Sequence, residues 1–372
     1  MKARGVHLQY SFESGGQRGA AVHNPLFDLL NAVHEHGSIQ HAAKALGASY
    51  RHVWGALKHW QEVMGEPLVT WAQGQPARLT PFAERLLWAE KRARTRLTPH
   101  IEALRAELEH VLAEALDGSH DVLTIFASHD LALPALRDIA ASRHHLHIDL
   151  RFAGSVDALE ALAAGRCGVA GFHVPPLEGG SPLFSRAMKP RLKPGVHKLI
   201  GCLRRTQGLM VASGNPLALR RLADVAACGA RFVNRQEGSG TRLLLDHLLQ
   251  AQKLSPDRFK GCDDATEDSH VAVAAAIASG SADVGLGIEP AARAFGLDFV
   301  PVVAEDYYLV CLKDALDQPP VIKLRQALDS PEWVSALQAH PGYAATEQRG
   351  QVLSLTQALP WWHFRQPRPM AG

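Results

Sequence analysis

The stretch GSIQHAAKALGASYRHVW, residues 37–54, decides how the N-terminal part of the chain folds. Gly37 ends an amphipathic helix pattern, and Ser38 directly after it is a typical N-cap for a second helix. Gly47 closes that short helix, and Ser49 can cap a third one. Two helices joined by a tight glycine turn predict a helix-turn-helix arrangement.

The third predicted helix carries a local positive charge. Between Ser38 and Trp60 there are three lysine or arginine residues and three histidines, but no carboxylate. Basic donors near the start of such a helix suit phosphates and base edges. We therefore predict that seven residues contact DNA: Ser38, Lys44, Ser49, Tyr50, Arg51, His52 and Lys58. Val53, Trp54 and Leu57 are expected to face the core. A solvated basic helix face is the alternative, and a histidine metal site lacks a carboxylate or cysteine partner at helical spacing.

A β-hairpin and a long helix are predicted next. In EPLVTWAQGQPARLT, residues 66–80, two short apolar strands flank a Gly/Gln/Pro tip, as in a wing. Thr80-Pro81 then begins the long helix. Its apolar residues are spaced 4, 3, 4, 3 and 4 positions apart, which predicts a seam that pairs with a second copy of the chain. The seam comprises Leu97, Ile101, Leu104, Leu108, Val111 and Ala115. Packing of this helix on the second domain remains the alternative.

The composition bounds the class of protein. The chain has 372 residues, 47% of them apolar, and a formal net charge of only +2, which excludes a uniformly basic nucleic-acid coat. Apolar runs are broken by Ser, Gly and Asp, so no membrane span is expected. Five scattered cysteines without a CxxC pair indicate reduced thiols and a cytoplasmic protein.

From residue 121 onward, short apolar runs alternate with helical patterns, which predicts an α/β fold with mainly parallel strands. Four strand-to-helix junctions carry chemistry that suits an anion: FASHD (126–130), FAGS (152–155), RQEGSGTR (235–242) and ATEDSH (265–270). Helix N-termini offer free N–H groups, and hydroxyls add neutral donors. The predicted effector-binding residues are Ser128, Gly154, Ser155, Arg235, Gly238, Ser239, Gly240, Thr241, Arg242 and Ser269. The carboxylates of Glu267 and Asp268 conflict with a highly charged anion unless they point outward.

Catalytic and cofactor motifs are missing from the sequence. The EGSGTR loop lacks the GK[ST] ending of a P-loop and does not match GxGxxG. No G-x-S-x-G elbow occurs, and adjacent side chains such as Ser128, His129 and Asp130 diverge instead of forming a triad. We expect no enzyme activity, no cofactor and no metal.

Two parts of the chain resemble known families. The stretch GSIQHAAKALGASYRHVWGALKHWQEVMGEPLV (37–69) resembles the winged helix-turn-helix shared by LysR-type regulators and ModE molybdate-responsive regulators. Its SY and VW, together with LTPFAERLL (79–87) at the end of the wing, are more similar to ModE. RFVNRQEGSGTRLLLD (231–246), GSADVGLGIEPAARAFGLDFVPVVAEDYYLV (280–310) and HPGYAATEQRGQVLSL (340–355) resemble molybdate-binding-protein-like domains of the type II periplasmic-binding-protein fold.

The resemblance implies an α+β winged helix-turn-helix domain followed by an α/β two-lobed domain whose lobes are joined by strands near 197–206 and 299–306. The expected segments are an N-terminal arm (1–24), the DNA-binding domain (25–81), a dimerisation or linker helix (82–120), the effector-binding domain (121–355) and a tail (356–372). The implied function is that of a DNA-binding transcriptional regulator, a homodimer or homotetramer, that senses a small oxyanion, with molybdate or tungstate favoured. A sensor of a small carboxylate such as formate, or a storage or delivery protein for an oxyanion, remains the alternative.

Overall fold

The computed structural model describes residues 24–70, 76–116, 121–175, 181–262 and 266–362. The chain divides into two compact units, Met1–Thr80 and Pro81–Gly372. The predicted arm (apart from Asn24), the tip of the predicted wing, residues 117–120 of the predicted linker and the last ten residues lie outside the described residues. The described residues of the first unit form three helices and two short strands: α1 (Pro25–His36), α2 (Ile39–Ala45), α3 (Tyr50–Met64), β1 (Val69–Thr70) and β2 (Arg78–Leu79).

The predicted caps set the helix boundaries in the first unit. Gly37 has a left-handed φ of 58° and ends α1, while the Ser38 hydroxyl accepts a hydrogen bond from the amide of His41 at the start of α2. Ser49 caps α3 in the same way, with its hydroxyl 3.2 Å from the amide nitrogen of His52. The predicted helix-turn-helix is therefore confirmed.

A two-stranded antiparallel hairpin follows α3, as the sequence predicts. Val69 pairs with Leu79, and Thr70 pairs with Arg78. The Gln61 side chain fixes the start of this hairpin, because its Oε1 accepts hydrogen bonds from the amides of Leu68 and Val69 at 3.0 and 3.3 Å.

The second unit is an α/β structure that begins with one very long helix. Its helices are α4 (Pro81–Leu116), α5 (Leu133–His144), α6 (Ser155–Ala163), α7 (Pro182–Met188), α8 (Leu222–Cys228), α9 (Gly240–Ala251), α10 (His270–Ala278), α11 (Glu289–Ala294), α12 (Pro319–Asp329), α13 (Pro331–Gln338) and α14 (Leu355–Ala358). Its strands are β3 (Asp121–Ala127), β4 (Leu146–Phe152), β5 (Val169–Val174), β6 (His197–Val211), β7 (Phe232–Arg235), β8 (Thr266–Glu267), β9 (Val284–Ile288), β10 (Asp298–Leu312), β11 (Tyr343–Ala344) and β12 (Val352–Leu353). Short 3₁₀ turns occur at Lys189–Arg191, Pro256–Arg258, Lys313–Ala315 and Pro360–Trp362.

The strands form one mixed sheet in the order β4-β3-β5-β10-β6-β9-β7-β8, with β11 and β12 also pairing with β6. The two ends are parallel, since β3 pairs with β4 and β5, and β7 pairs with β8 and β9. The middle is antiparallel, which corrects the expectation of a mainly parallel sheet. The reason is that β6 and β10 pass between the two halves in opposite directions.

The strands β6 and β10 are the two predicted crossing strands. Each has 15 residues, and they pair along almost their whole length, with Glu305 opposite Arg205. The register shifts on both sides of Glu305, between Pro301 and Val303 and again between Tyr307 and Tyr308. Irregularities of this kind bend a strand locally.

Two hydrophobic cores cover the opposite faces of the sheet. Alternate residues of one strand belong to different cores: Leu309 lies in the core beneath α5 and α10–α13, and Val310 in the core beneath α6–α9. This alternation with a period of two places the helices in layers on both faces. The loops at the strand ends are left free to form a site.

The first half of α4 packs on the rest of the second unit. The Trp88 ring stacks on the Phe295 ring at 6.4 Å between centroids, and the Arg92 guanidinium donates to the Ser281 hydroxyl at 2.9 Å. Farther along, Leu104 and Val111 of the predicted seam are 49% and 56% exposed. Of the residues that are described, no helix is both long and apolar enough to cross a membrane.

Candidate functional site

The predicted DNA-contacting residues lie on the surface of the first unit. Ser38 is half-buried, and the other six residues are exposed. Trp54 corrects the predicted core, because it is 38% exposed while Val53 and Leu57 are buried. The Lys58 ammonium lies 5.7 Å from the centroid of the Trp54 ring. Trp54 therefore belongs to the basic surface of α3, where its ring lies against the Lys58 ammonium.

A cavity of about 200 Å³ lies within the second unit, where strands from both halves of the sheet end. Six of the predicted effector-binding residues line it: Ser128, Gly154, Arg235, Ser239, Gly240 and Thr241. A water molecule occupies about 30 Å³ in the liquid. The cavity therefore suits a ligand with few non-hydrogen atoms.

Glycines allow the loops from the two halves to touch beside the cavity. A Cβ atom on Gly154 would lie 2.8 Å from the carbonyl oxygen of Gly238, and Gly238 itself has a left-handed φ of 78°. A Cβ atom on Gly240 would lie 3.0 Å from the Ser155 hydroxyl oxygen, which is buried and has no hydrogen-bond partner among the described residues. Gly238 and Ser155 thus support the lining residues from behind.

Two predicted residues lie elsewhere. Arg242 does not line the cavity, because its side chain follows α9 and its Nε donates to Asp246 Oδ1 at 3.2 Å, one turn later. Ser269 is buried and caps α10 by accepting from the amide of Ala272. The predicted role of Arg242 is corrected accordingly: the loop supplies a cation to the cavity at Arg235.

Arg235 is a buried cation at the wall of the cavity. Its Nε and Nη2 donate to the main-chain oxygens of Glu267 and Asp268, at 3.2 and 2.6 Å. No carboxylate of the described residues forms an ion pair with it. Burial and the neighbouring Arg205 lower the pKa of Arg235 to about 10, so the guanidinium is charged at neutral pH. Its charge is available to an anion.

A second cation, Arg205, is already neutralised. Its Nη1 and Nε donate to Asp130 Oδ2 and Glu305 Oε1, both at 2.7 Å, and all three side chains are buried. Tyr343 donates to the same Asp130 oxygen at 2.9 Å. Burial alone would raise the pKa of Asp130, but His173 and Arg205 hold it well below its usual range.

Gln207 orients the hydroxyl of Thr241. Its Nε2 donates to Glu305 Oε1 at 3.0 Å and to Thr241 Oγ1 at 2.9 Å. Because a carboxylate can only accept, Glu305 fixes which end of the amide faces Thr241. The Thr241 oxygen is therefore an acceptor in this contact, and its own hydrogen can point into the cavity.

Three histidines also line the cavity: His173 and His270, which are buried, and His129, which is half-buried. Burial lowers the pKa of all three. The pKa of His129 falls to about 4, with Arg235 as the next cause, and the pKa of His270 falls well below its ordinary value. The free cavity thus holds neutral imidazoles at pH 7. In the described ranges, no group of three His, Cys, Asp or Glu side chains could hold a metal ion.

The two carboxylates of the fourth loop behave differently. Glu267 points toward α4, where Arg96 donates to both of its oxygens at 2.9 and 2.7 Å. Asp268 lines the cavity, and its buried Oδ1 has no hydrogen-bond partner among the described residues. The predicted conflict with a highly charged anion is therefore removed for Glu267 and persists for Asp268.

Several residues of this site were missed in the sequence. Arg205, Gln207 and Glu305 lie inside strands, whereas the sequence prediction rests on the loops between strands and helices. Charged residues within the apolar runs of β6 and β10 were the available signal, because a charge inside a buried strand needs a partner. His173 and His270 gave no such signal on their own.

Two sequence families match the two units. Residues 136–329, just over half of the chain, match the model of the PBP superfamily domain. The chain belongs to the PBP superfamily. Residues 26–84 match the bacterial regulatory helix-turn-helix proteins of the lysR family. A LysR-family DNA-binding domain is thus followed by a two-lobed α/β PBP-like domain, which confirms the predicted fold class. The match to the lysR family, whose members are regulatory proteins, also agrees with the prediction that the chain is not an enzyme. The finer resemblance to ModE and to molybdate-binding proteins stays a prediction.

Individual relatives are more distant. YvgK of Bacillus subtilis (strain 168) is 30% identical over 204 residues, which cover 55% of this chain and 64% of YvgK, less than two thirds of its length. A mutant of Corynebacterium glutamicum OxyR with bound H2O2 is 17% identical with a TM-score of 0.44, over 87% of this PBP-superfamily chain and 94% of that chain. Full-length LysG from the same organism is 20% identical with a TM-score of 0.39, over 84% and 97% of the two chains.

Proposed function

We propose that this chain is a ligand-responsive transcriptional regulator. Its LysR-family domain binds a double-stranded DNA operator, and its PBP domain senses a small oxyanion, with molybdate or tungstate as the leading candidates. The observation that carries the oxyanion is the buried charge of Arg235, which has no carboxylate ion pair among the described residues. A buried charge without an ionic partner is costly, and a bound anion relieves that cost.

Neutral donors around Arg235 support the same class of ligand. The Arg242 amide donates to the Ser239 hydroxyl, whereas the first two amides of α9, at Gly240 and Thr241, lack carbonyl partners within the helix and lie at the cavity. The Thr241 hydroxyl adds a donor that Gln207 orients. A tetrahedral oxyanion presents acceptors in several directions and so can use a guanidinium, amides and a hydroxyl together.

A small carboxylate is the second candidate, and Asp268 favours it. A ligand that carries a hydrogen-bond donor beside its carboxylate can satisfy the unpartnered Asp268 oxygen as well as Arg235. Formate has the charge but not the donor, whereas a small hydroxy or amino acid has both.

The exposed basic helix distinguishes a regulator from a protein that stores or delivers an oxyanion. Tyr50, Arg51, His52 and Lys58 are exposed on α3, where a domain used only for assembly has no need of them. The proposal includes assembly as a homodimer or homotetramer and, because the operator is genomic, the cytoplasmic location expected from the sequence.

Gel-shift titration against the DNA upstream of the protein's own gene tests this function. Operator affinity should change on addition of molybdate or tungstate, and less with sulfate, phosphate, formate or glycine. Arg51→Ala should lose about 1–3 kcal/mol of discrimination between operator and unrelated DNA, while Lys58→Ala should weaken binding to both. Unchanged affinity and selectivity in Arg51→Ala would contradict the placement of the recognition helix. A response to glycine alone would favour the second candidate.

A further inference from the structure

His173 connects the lining of the cavity to the buried carboxylates behind it. Its Nδ1 lies 2.8 Å from the Ser128 hydroxyl oxygen. Its Nε2 lies 3.5 Å from Asp130 Oδ2 and 4.0 Å from Glu305 Oε1. The imidazole therefore stands between a hydroxyl that lines the cavity and two negative charges.

These distances decide where a neutral His173 keeps its hydrogen. A lone pair on Nε2 would face two carboxylate oxygens, so the hydrogen is on Nε2 and the lone pair is on Nδ1. Nδ1 then accepts, and Ser128 donates its hydroxyl hydrogen to it. Toward the cavity Ser128 shows only lone pairs, which makes it an acceptor rather than the donor that the sequence predicted.

An acceptor at Ser128 is unsuitable for an anion without hydrogens. Every oxygen of such an anion is itself an acceptor, and the Asp268 carboxylate adds a second repulsive group to the cavity. Protonation of His173 removes the first difficulty. Both ring nitrogens then donate, Nε2 toward Asp130 and Nδ1 to the Ser128 oxygen, and the Ser128 hydrogen turns into the cavity.

We propose that the cavity binds a fully deprotonated oxyanion together with one proton, which His173 takes up from the solvent, and that an oxyanion carrying its own proton needs none. This inference rests on the proposed oxyanion function. The balance is simple: imidazole and one hydrogen ion give imidazolium, and a dianion adds a net charge of −1 instead of −2. His173 thus determines that a fully deprotonated ligand binds only with proton uptake, whereas a ligand that carries a proton binds without it.

The surroundings of His173 favour it over the other groups that could take the proton. It faces Ser128 and Asp130 after β3, Arg205 on β6, Glu305 and Tyr307 on β10, and His270 on α10. The two carboxylates stabilise an imidazolium, although burial and Arg205 lower the pKa of His173 in the free cavity. His129 and His270 are disfavoured because Arg235 is the charge that acts most strongly against their protonation.

Calorimetry of the full chain tests the proposal. Sodium molybdate, which has no proton at pH 7.5, is titrated in buffers of different ionisation enthalpy. The expected uptake is about one proton per molybdate, and the Kd should rise by up to about tenfold from pH 7 to pH 8. Phosphate at pH 8, which keeps one proton, should bind with an uptake near zero and a Kd that changes little with pH.

Variants identify the group that takes the proton. His173→Asn keeps a neutral partner for Ser128 but cannot be protonated, so molybdate binding should lose its proton uptake and most of its affinity. In His270→Asn and Asp268→Asn the uptake should persist, whatever their affinities. A thermal melt of each ligand-free variant separates a loss of binding from a loss of folding, and the comparison of molybdate with phosphate in the unaltered chain does not depend on any variant.

The outcomes separate a failure of the His173 proposal from a failure of the oxyanion function. Molybdate binding without proton uptake, or uptake that persists in a folded His173→Asn or disappears in Asp268→Asn, overturns the role of His173 and leaves the oxyanion function intact. If neither molybdate, tungstate, sulfate nor phosphate binds, the oxyanion function itself is wrong, and the proton proposal falls with it.

Discussion

At the scale of single residues, Arg235 and Arg242 show how far a loop sequence can predict a site. Both occur in RQEGSGTR, seven positions apart, and the sequence could not assign them different roles. Arg242 is already inside α9, so its side chain reaches Asp246 along its own helix. Arg235 ends β7 and is held beside the cavity by two main-chain oxygens.

The two arginines form a matched pair for mutation. Arg235→Gln should weaken binding of the active oxyanion by about ten- to a hundredfold, because a hydrogen bond to a charged group contributes about 1.5–3 kcal/mol. Arg242→Gln should change the Kd by less than about threefold, which is the size of effect expected away from the site. Calorimetry on both full-length variants measures this difference. Equal losses in the two variants would mean that Arg242 also acts on the ligand.

At the scale of elements, α4 connects the start of the second unit to the wall of the cavity. Arg96 holds Glu267, whose main-chain oxygen accepts from Arg235, and His100 of the same helix lines the cavity. A ligand that moves Arg235 therefore also moves Glu267, which α4 contacts through Arg96.

Breaking this contact should uncouple the ligand from the DNA. In Arg96→Gln, the ratio of operator affinities with and without the anion should move toward one, while anion affinity changes little, since Arg96 does not line the cavity. Glu267→Gln should have the same effect, and the exchanged pair Arg96→Glu with Glu267→Arg should restore part of the response. Gel shifts at saturating and zero anion give the ratio. An unaltered ratio in both single variants would show that α4 does not transmit the signal through this contact.

The second half of α4 has an exposed apolar seam. Leu104→Lys with Val111→Lys should shift the oligomer toward monomer, because each ammonium would be desolvated in a paired helix interface. Ala89→Lys, at an exposed position of α4 outside the seam, is the control. Sedimentation velocity reads the outcome, and an unchanged oligomer in the double variant would place the assembly interface elsewhere.

At the scale of the whole molecule, the buried histidines make stability depend on pH. The pKa of His129 is about 4 in the folded chain, against about 6.5 when unfolded, so the unfolded state binds the proton first as the pH falls. Its contribution to stability is complete above pH 6.5 and is lost as the pH falls toward 4. Between pH 7.5 and 5.0 the loss from His129 is about 2 kcal/mol.

Urea unfolding of the full chain at several pH values measures this loss, as the change in the free energy of unfolding of the second unit. His129→Asn should lower the pH dependence by about 2 kcal/mol, and His59→Asn, at an exposed position of α3, should leave it unchanged. An identical pH dependence in His129→Asn and the unaltered chain would show that the folded chain does not hold this ring in its neutral form.

The order and type of the main elements could be predicted because local signals determine them. Ser38, Ser49 and Gly37 terminate helices through their own chemistry, and the crossing strands were recognised through a family resemblance. The arrangement inside the cavity could not be predicted in this way. Arg205 and Asp130 are 75 positions apart, and only the folded sheet brings them to 2.7 Å. Pairings of this kind depend on which strands become neighbours, which no local pattern specifies.

The position of Arg205 and Glu305 on the crossing strands has a mechanical consequence. The strand that carries Arg205 lines the cavity and also pairs with β10 to join the two halves. The register shifts on either side of Glu305 give this joint two places at which to bend. A ligand in the cavity therefore lies beside a strand that joins the two halves of the sheet, and not at the outer edge of either half. We expect a ligand bound at this position to change the bend of both strands, and with it the angle between the two halves, with only a small movement of the residues that contact it.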